Sequence, residues 1–290
     1  MKSILIVGCG DIALRIAPIL CTRYRLFGLV RNAQYSTTLR AAGIIPIAGD
    51  LDHRHLARIA GLAHMILHFA PPPNTGTSDS RTRLLLAALS RGTLPERLVY
   101  ISTSGVYGDC GGAQVDESRP LNPQSARAMR RADAEHCIRD WARRNRVRAN
   151  ILRVPGIYAA ERLPLERLQT GSPAIVAEQD SHTNHIHADD LANIVVAALH
   201  RGKPNRVYHA SDDSELKMGD YFDAVADACY LPRPPRLPRD ETERTVSPVL
   251  WSFMNESRRL DNARMKQELK VKLRYPTVAE ALATIKKSDL

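Results

Sequence analysis

The chain is poor in cysteine and aromatic side chains, and it lacks any long apolar run. Its five cysteines, Cys9, Cys21, Cys110, Cys137 and Cys229, are scattered and never fall in a Cys-x-x-Cys spacing. That argues against a disulfide framework or a zinc ribbon and leaves reduced, partly buried thiols, which fits a cytoplasmic protein. No apolar stretch approaches the roughly 18–20 residues needed to cross a bilayer, so no membrane partner is expected. Asp11 and Arg15 break the apolar run at the N-terminus, which sets it apart from a secretion signal. Aromatic residues make up only 5% of the chain, leaving few platforms on which bases could stack. No internal repeat is visible.

What the chain does have is an ordinary globular balance, with 44% hydrophobic and 25% charged residues over a length of 290. That length suits one large α/β unit or two lobes. Lys+Arg 41 against Asp+Glu 31 leaves a formal net charge of +10, which raises nucleic acid or an anionic ligand as a partner. The arginines between 127 and 148 are interspersed with Asp133, Glu135 and Asp140. Such a pattern reads as a solvated helix with i,i+4 pairs, so no nucleic-acid partner is expected and the ligand is a small molecule.

Short apolar runs at 4–7, 26–30, 44–47, 65–69, 98–102 and 150–154 alternate with helical stretches at 11–21, 35–42, 52–60, 81–90 and 124–144. Runs apolar on both faces suit buried strands of a parallel sheet, and the βα order predicts a doubly wound α/β fold. Residues 1–155 form the expected dinucleotide-binding domain, its sheet completed by segments around 184–210. Residues 156–183 and 211–290 form a smaller substrate lobe, with helices at 189–200 and 218–230, a strand at 207–210 and a Pro-rich loop at 231–238. Asn122-Pro123 reads as the start of the long helix, and Thr277 to Glu280 as a capping box.

The segment Gly8-Cys9-Gly10-Asp11-Ile12-Ala13 follows the first strand and opens a helix. In this G-x-G-x-x-A pattern the first glycine permits a tight turn, the second lets a pyrophosphate approach the backbone, and the alanine packs helix on strand. Gly8, Gly10, Asp11 and Ile12 then face the phosphates of a dinucleotide. Where an acidic residue would bind the ribose 2′-hydroxyl of NAD, the second strand ends in Arg31. A guanidinium suits a 2′-phosphate, so NADP(H) is preferred to NAD(H).

With Gly49-Asp50-Leu51, Ser102-Thr103-Ser104-Gly105-Val106-Tyr107-Gly108 and His185 to Ala192, these motifs make the chain resemble an extended, atypical short-chain dehydrogenase/reductase of the epimerase/dehydratase type. The resemblance runs over most of the chain. It implies a Rossmann fold and hydride transfer to or from a hydroxyl or carbonyl carbon of a small, nucleotide-sugar-like substrate, and it carries the expectation of a homodimer. It places Asp50 and Leu51 at the adenine, Ala70 and Pro71 along the cofactor, and Ser102 and the stretch from Val154 to Ile157 near the nicotinamide. On the residues alone Asp50 reads equally well as a helix N-cap.

The same resemblance puts the reactive hydroxyl at Thr103, with Ser104 beside the substrate, and looks for Tyr-x-x-x-Lys on the next helix. Arg127 stands where Tyr belongs and Arg131 where Lys belongs. A guanidinium stays protonated and cannot take the substrate proton. Arg131 can still hold the nicotinamide ribose, and Tyr107 and Tyr158 are the substitute bases. The alternative is a catalytically silent NADP(H)-binding sensor. Arg258 or Arg259 would meet an anionic substrate. His182, His185 and His187 with Asp189 and Asp190 read as the entry to a helix capped by one of the aspartates, with no metal expected. His53 and His55 are expected on a helix surface, and His68 as a packed strand-end residue.

Overall fold

Seven of the apolar runs pair into one all-parallel sheet. In the computed structural model, which describes residues 1–53 and 56–285, the strands are β1 (Ser3–Val7), β2 (Arg25–Val30), β3 (Ile44–Ala48), β4 (Met65–His68), β5 (Arg97–Thr103), β6 (Arg148–Val154) and β7 (Arg206–His209). Their spatial order is β7-β6-β5-β4-β1-β2-β3. The order reverses between β1 and β4, the point at which open α/β sheets leave a crevice at their carboxyl ends.

Alternation along each strand feeds two cores. Ile4, Ile6, Val99 and Ile101 face helices α1 (Asp11–Leu20) and α6 (Ala188–Arg201), while Leu5, Val7, Leu98 and Tyr100 face the layer containing α3 (Ser80–Leu89) and α4 (Ala126–Asn145). Burial on both faces is why these strands read as unbroken apolar runs. A third cluster joins Tyr158 and Leu168 to Tyr221, Phe222 and Val225 of α7 (Met218–Ala228) and to Val278, Ala281 and Leu282. It is separate from the two cores on the faces of the sheet. Among the described residues no helix is long and apolar enough to cross a membrane.

Several boundaries differ from expectation, each for a local reason. The long helix starts at Ala126 because the Ser125 side chain accepts from Ala128 N, so Ser125 and not Asn122 is the cap. Helix α6 is capped by the His187 ring, which accepts from Asp189 N. Asp190 serves elsewhere: its carboxylate accepts from the backbone N–H groups of Arg274 and Tyr275 and ties the C-terminal segment to this helix. The described part of 52–60 holds only the 3₁₀ turn Ala57–Ile59, and His55 lies outside the described residues. Within the Pro-rich stretch, Arg236–Leu237 pairs in parallel with Ala174–Ile175. Thr277 caps its helix as expected.

The long arginine-rich helix is not simply solvated. Glu135, expected in surface i,i+4 pairs, is 1% exposed and binds Arg153 on β6 at 2.8 Å, with Arg153 itself 3% exposed. Asp133 accepts from Asp79 N and pairs with Arg83. The helix is thus anchored to the sheet by charge as well as by apolar contact.

Candidate functional site

At the switch point of the sheet lies a cleft of about 260 Å³ lined by Gly8, Arg31, Gly49, Leu51, Ala70, Pro71 and Arg81, among others. Gly8 sits at φ +96°, and a Cβ there would come within 2.4 Å of Ala70 N. Gly10 differs: it is the N-cap of α1, and a Cβ on it would meet nothing within 4 Å. The fold therefore demands glycine at the first position, whereas at the second glycine leaves open space over a helix N-terminus, where a phosphate binds.

Arg31 stands at the lip of this cleft with its side chain 65% exposed, its carboxylate neighbour Asp52 being 3.9 Å away. Asp52 is held more firmly by Arg81, through two bonds of 2.7 Å, and this bonding lowers its pKa. Among the described residues the Arg31 side chain makes no hydrogen bond, which leaves its donors available to an incoming anion. Asp50 does not cap a helix; its carboxylate accepts from Asp52 N at 3.0 Å in a local turn, and Leu51 is the neighbour that lines the cleft. The Asp11 carboxylate is bound by Arg15 and Arg162, which leaves its backbone to the helix terminus. Arg81 and Tyr35 were missed in the sequence, since nothing in their spacing ties them to the glycine turn.

A second, larger cavity of about 590 Å³ opens at the ends of β5 and β6, between the sheet and the cluster of Tyr158, Tyr221 and Phe222. Thr103 and Val154 are register partners there, which sets the threonine hydroxyl beside the stretch from Val154 to Ile157 on the cavity wall. Thr103 Oγ1 accepts from Gly105 N at 3.2 Å, leaving its own proton to donate. Ser104, Arg127, Arg131, Tyr158, Glu256 and Arg258 share the wall. Arg131 donates through Nη1 to Ile101 O at 2.8 Å and to Tyr100 Oη at 3.0 Å, which pins it against β5. Arg127 lies 4.1 Å over the Phe253 ring, and burial lowers its pKa.

Ser102 is on the cavity wall, and its hydroxyl donates to the buried Glu135 at 2.6 Å. Two expected site residues lie off the cavity. Tyr107 is fully buried off the cavity, receives Arg153 Nη1 at 2.5 Å and bonds His209 Nε2 at 2.6 Å. Burial pushes its phenol up to about 12, so it is not a substitute base. Arg259 donates to Gly112 O and is not part of the cavity wall, whereas Arg258 is, bound to Gly108 O and Glu256. Tyr158 does line the cavity, but burial and the nearby Asp212 carboxylate raise its pKa strongly and oppose its use as a base. His185 and His187 form a short strand packed against Tyr158, and His68 is a buried strand-end residue bonded to Thr82 at 2.9 Å. Among the described residues, no group of three or more His, Cys, Asp or Glu side chains is placed to hold a metal ion.

Comparison with known proteins agrees with this geometry. Residues 26–211 match the model of the NAD dependent epimerase/dehydratase family. The dTDP-D-glucose 4,6-dehydratase of Homo sapiens is 23% identical over 194 residues, 59% of this chain and 55% of that protein. The dTDP-glucose 4,6-dehydratase of Mycobacterium tuberculosis is 29% identical over 192 residues, 58% of this chain and 57% of that one. The chain thus matches a little over half the length of these curated relatives. A conserved protein of unknown function from Silicibacter pomeroyi superposes with a TM-score of 0.81 at 28% identity, covering 97% of each chain. The UDP-glucuronic acid 4-epimerase of Bacillus cereus, solved in complex with NAD, gives 0.76 at 17% identity over 97% and 96% of the two chains, a likeness of fold.

Proposed function

The chain belongs to the NAD dependent epimerase/dehydratase family, and from that premise we propose that it is an NADP(H)-dependent enzyme acting on a hydroxyl or carbonyl carbon in the larger cavity. What carries the reading is one alignment of parts. The Gly8 turn, the cleft under Arg31 and the Thr103–Val154 pair all lie along the carboxyl edge of a single sheet. The open space over Gly10 and the free donors of Arg31 fit a dinucleotide with a 2′-phosphate.

When bound, a nicotinamide accepts or donates hydride at its C4. The chain's own residues supply position and hydrogen bonds. Thr103 donates to the reacting oxygen. Arg131, braced on Ile101 O, holds the ribose side of the site. Arg127 cannot remove a proton, but its N–H groups would stabilise negative charge on the reacting oxygen in either direction of hydride transfer. The same arginine, standing in the tyrosine position, supports the second reading, a silent NADP(H) sensor.

Thermal shift with NADP(H) and NAD(H), followed by absorbance assays on nucleotide sugars and small carbonyls, separates these readings. Turnover supports the enzyme, binding without turnover across the panel favours the sensor, and no shift with either dinucleotide overturns both. Arg31→Asp is expected to remove contacts to the 2′-phosphate worth roughly 2–3 kcal/mol. That corresponds to a loss of NADP(H) preference on the order of 30–150-fold in a binding titration. An unchanged NADP(H)/NAD(H) ratio in this variant would remove Arg31 from the site.

A further inference from the structure

The larger cavity carries more positive charge than its walls neutralise. Arg127, Arg131, Arg162, Arg167 and Arg258 line it, against Glu256 as the one carboxylate among the lining residues described. Glu256 is taken by Arg258 at 2.8 Å, and Arg162 is paired with Asp11 at 3.0 Å. Arg131 is braced on β5. Arg127 and Arg167 remain, and among the described residues neither has a carboxylate at ion-pair distance.

These two arginines are held alike. Arg127 lies 4.1 Å over the ring of Phe253, and Arg167 lies 3.9 Å over the ring of Phe222. A ring against one face of a guanidinium fixes its plane and leaves the N–H donors around its edge. Both line the same cavity and contact the helix Pro248–Met254, since Arg167 Nη2 reaches Met254 Sδ, the residue after Phe253, at 3.6 Å. Of the donors of Arg167, Nη2 is used on Pro173 O at 2.7 Å, while Nε and Nη1 are buried with no acceptor. A buried cation with unsatisfied donors is costly, and a bound anion would relieve that cost.

We infer that the cavity takes a substrate bearing an anionic oxygen group, a carboxylate or a phosphate, held between Arg127 and Arg167. The inference rests on the larger cavity being the substrate site. It places the recognition of charge on the helix face at the tyrosine position and on the lobe, not on Arg258, whose charge Glu256 already balances.

The test separates the two layers of the argument. NADP⁺ binding is measured first, and calorimetric titrations with inorganic phosphate and with succinate are then run on NADP⁺-saturated protein, so that the cofactor's own phosphate sites are filled. At least one probe is expected to bind. Arg127→Gln and Arg167→Gln should each weaken it at least tenfold with NADP⁺ affinity unchanged, and the preferred probe tells phosphate from carboxylate. Arg167→Met should also melt no lower than the parent, because it removes an unpaired buried charge. Equal anion affinity in parent and variants, or no binding of either probe to protein that does bind NADP⁺, would overturn the inference. Should NADP⁺ itself fail to bind, the cofactor reading falls alone, and arginine-dependent anion binding to the free chain still decides this one.

Discussion

Stability is expected to fall steeply as the pH drops from 6.5 to 4, with about two protons taken up on unfolding. Three buried histidines drive this. Burial pushes His68 and His185 down to about 3 and His209 to about 4, from an ordinary value of 6.5. In that window the unfolded chain protonates all three while the folded chain keeps them neutral, so each costs about 1.4 kcal/mol per pH unit on acidification. Asp212 works in the opposite sense. Burial raises it to about 7, so the folded chain holds its proton from 3.8 upward while the unfolded chain has lost it. The stability Asp212 contributes is therefore fully present below 3.8 and lost as the pH rises through 7.

Three protons gained against one released leave a net uptake of about two protons on unfolding below pH 6, so stability rises with pH across this window and levels off above pH 7. His209 makes the acid step specific. Its Nδ1 donates to Asp261 O at 2.8 Å and its Nε2 accepts from the Tyr107 hydroxyl, so a second ring proton would reverse the bond to Tyr107 and turn that hydroxyl toward Asp116 O at 3.3 Å. Protonation there would bury a second cation beside Arg153, at the head of a chain of bonds running through Tyr107 and Arg153 to Glu135 and Ser102. Urea midpoints collected from pH 4.5 to 7.5 check the slope, and His209→Gln should reduce it by one proton. A midpoint independent of pH between 4.5 and 6.5 would show that these rings are not buried neutral.

None of that network was legible in the sequence, and the reason is distance along the chain. Glu135 lies on the long helix and Arg153 on the strand after it, 18 residues further on, so a helix rich in arginine and acid reads as a solvated face. The strands were legible because each feeds two cores, which leaves a continuous apolar run. Helix starts were less so. Asn122-Pro123 and Ser125 are both good starts by composition, and only the geometry of the Ser125 hydroxyl against Ala128 N decides between them. Arg31 could be placed in advance because it closes the second strand, a fixed distance from the glycines. Arg167 could not, since what marks it out is a missing partner, and absences of that kind exist only in three dimensions.

The two glycines of the opening turn should respond differently to the same substitution. Gly8→Ala sets a methyl group 2.4 Å from Ala70 N at φ +96°, where both the clash and the backbone angle oppose it. Neither can relax cheaply, because Ala70 N is itself bonded to Val7 O at 2.8 Å at the end of the adjacent strand. The expected loss is about 3 kcal/mol or more, with dinucleotide binding abolished. Gly10→Ala meets nothing within 4 Å, and the residue's φ of −88° suits any side chain. Its melting temperature should stay close to the parent's, yet its methyl group occupies the space through which a pyrophosphate reaches the helix N-terminus. Weakened NADP(H) binding at unchanged stability would therefore assign that space to the ligand. Gly10→Ala binding NADP(H) as tightly as the parent would move the phosphates elsewhere, and with them the path from the Arg31 cleft to the Thr103 cavity.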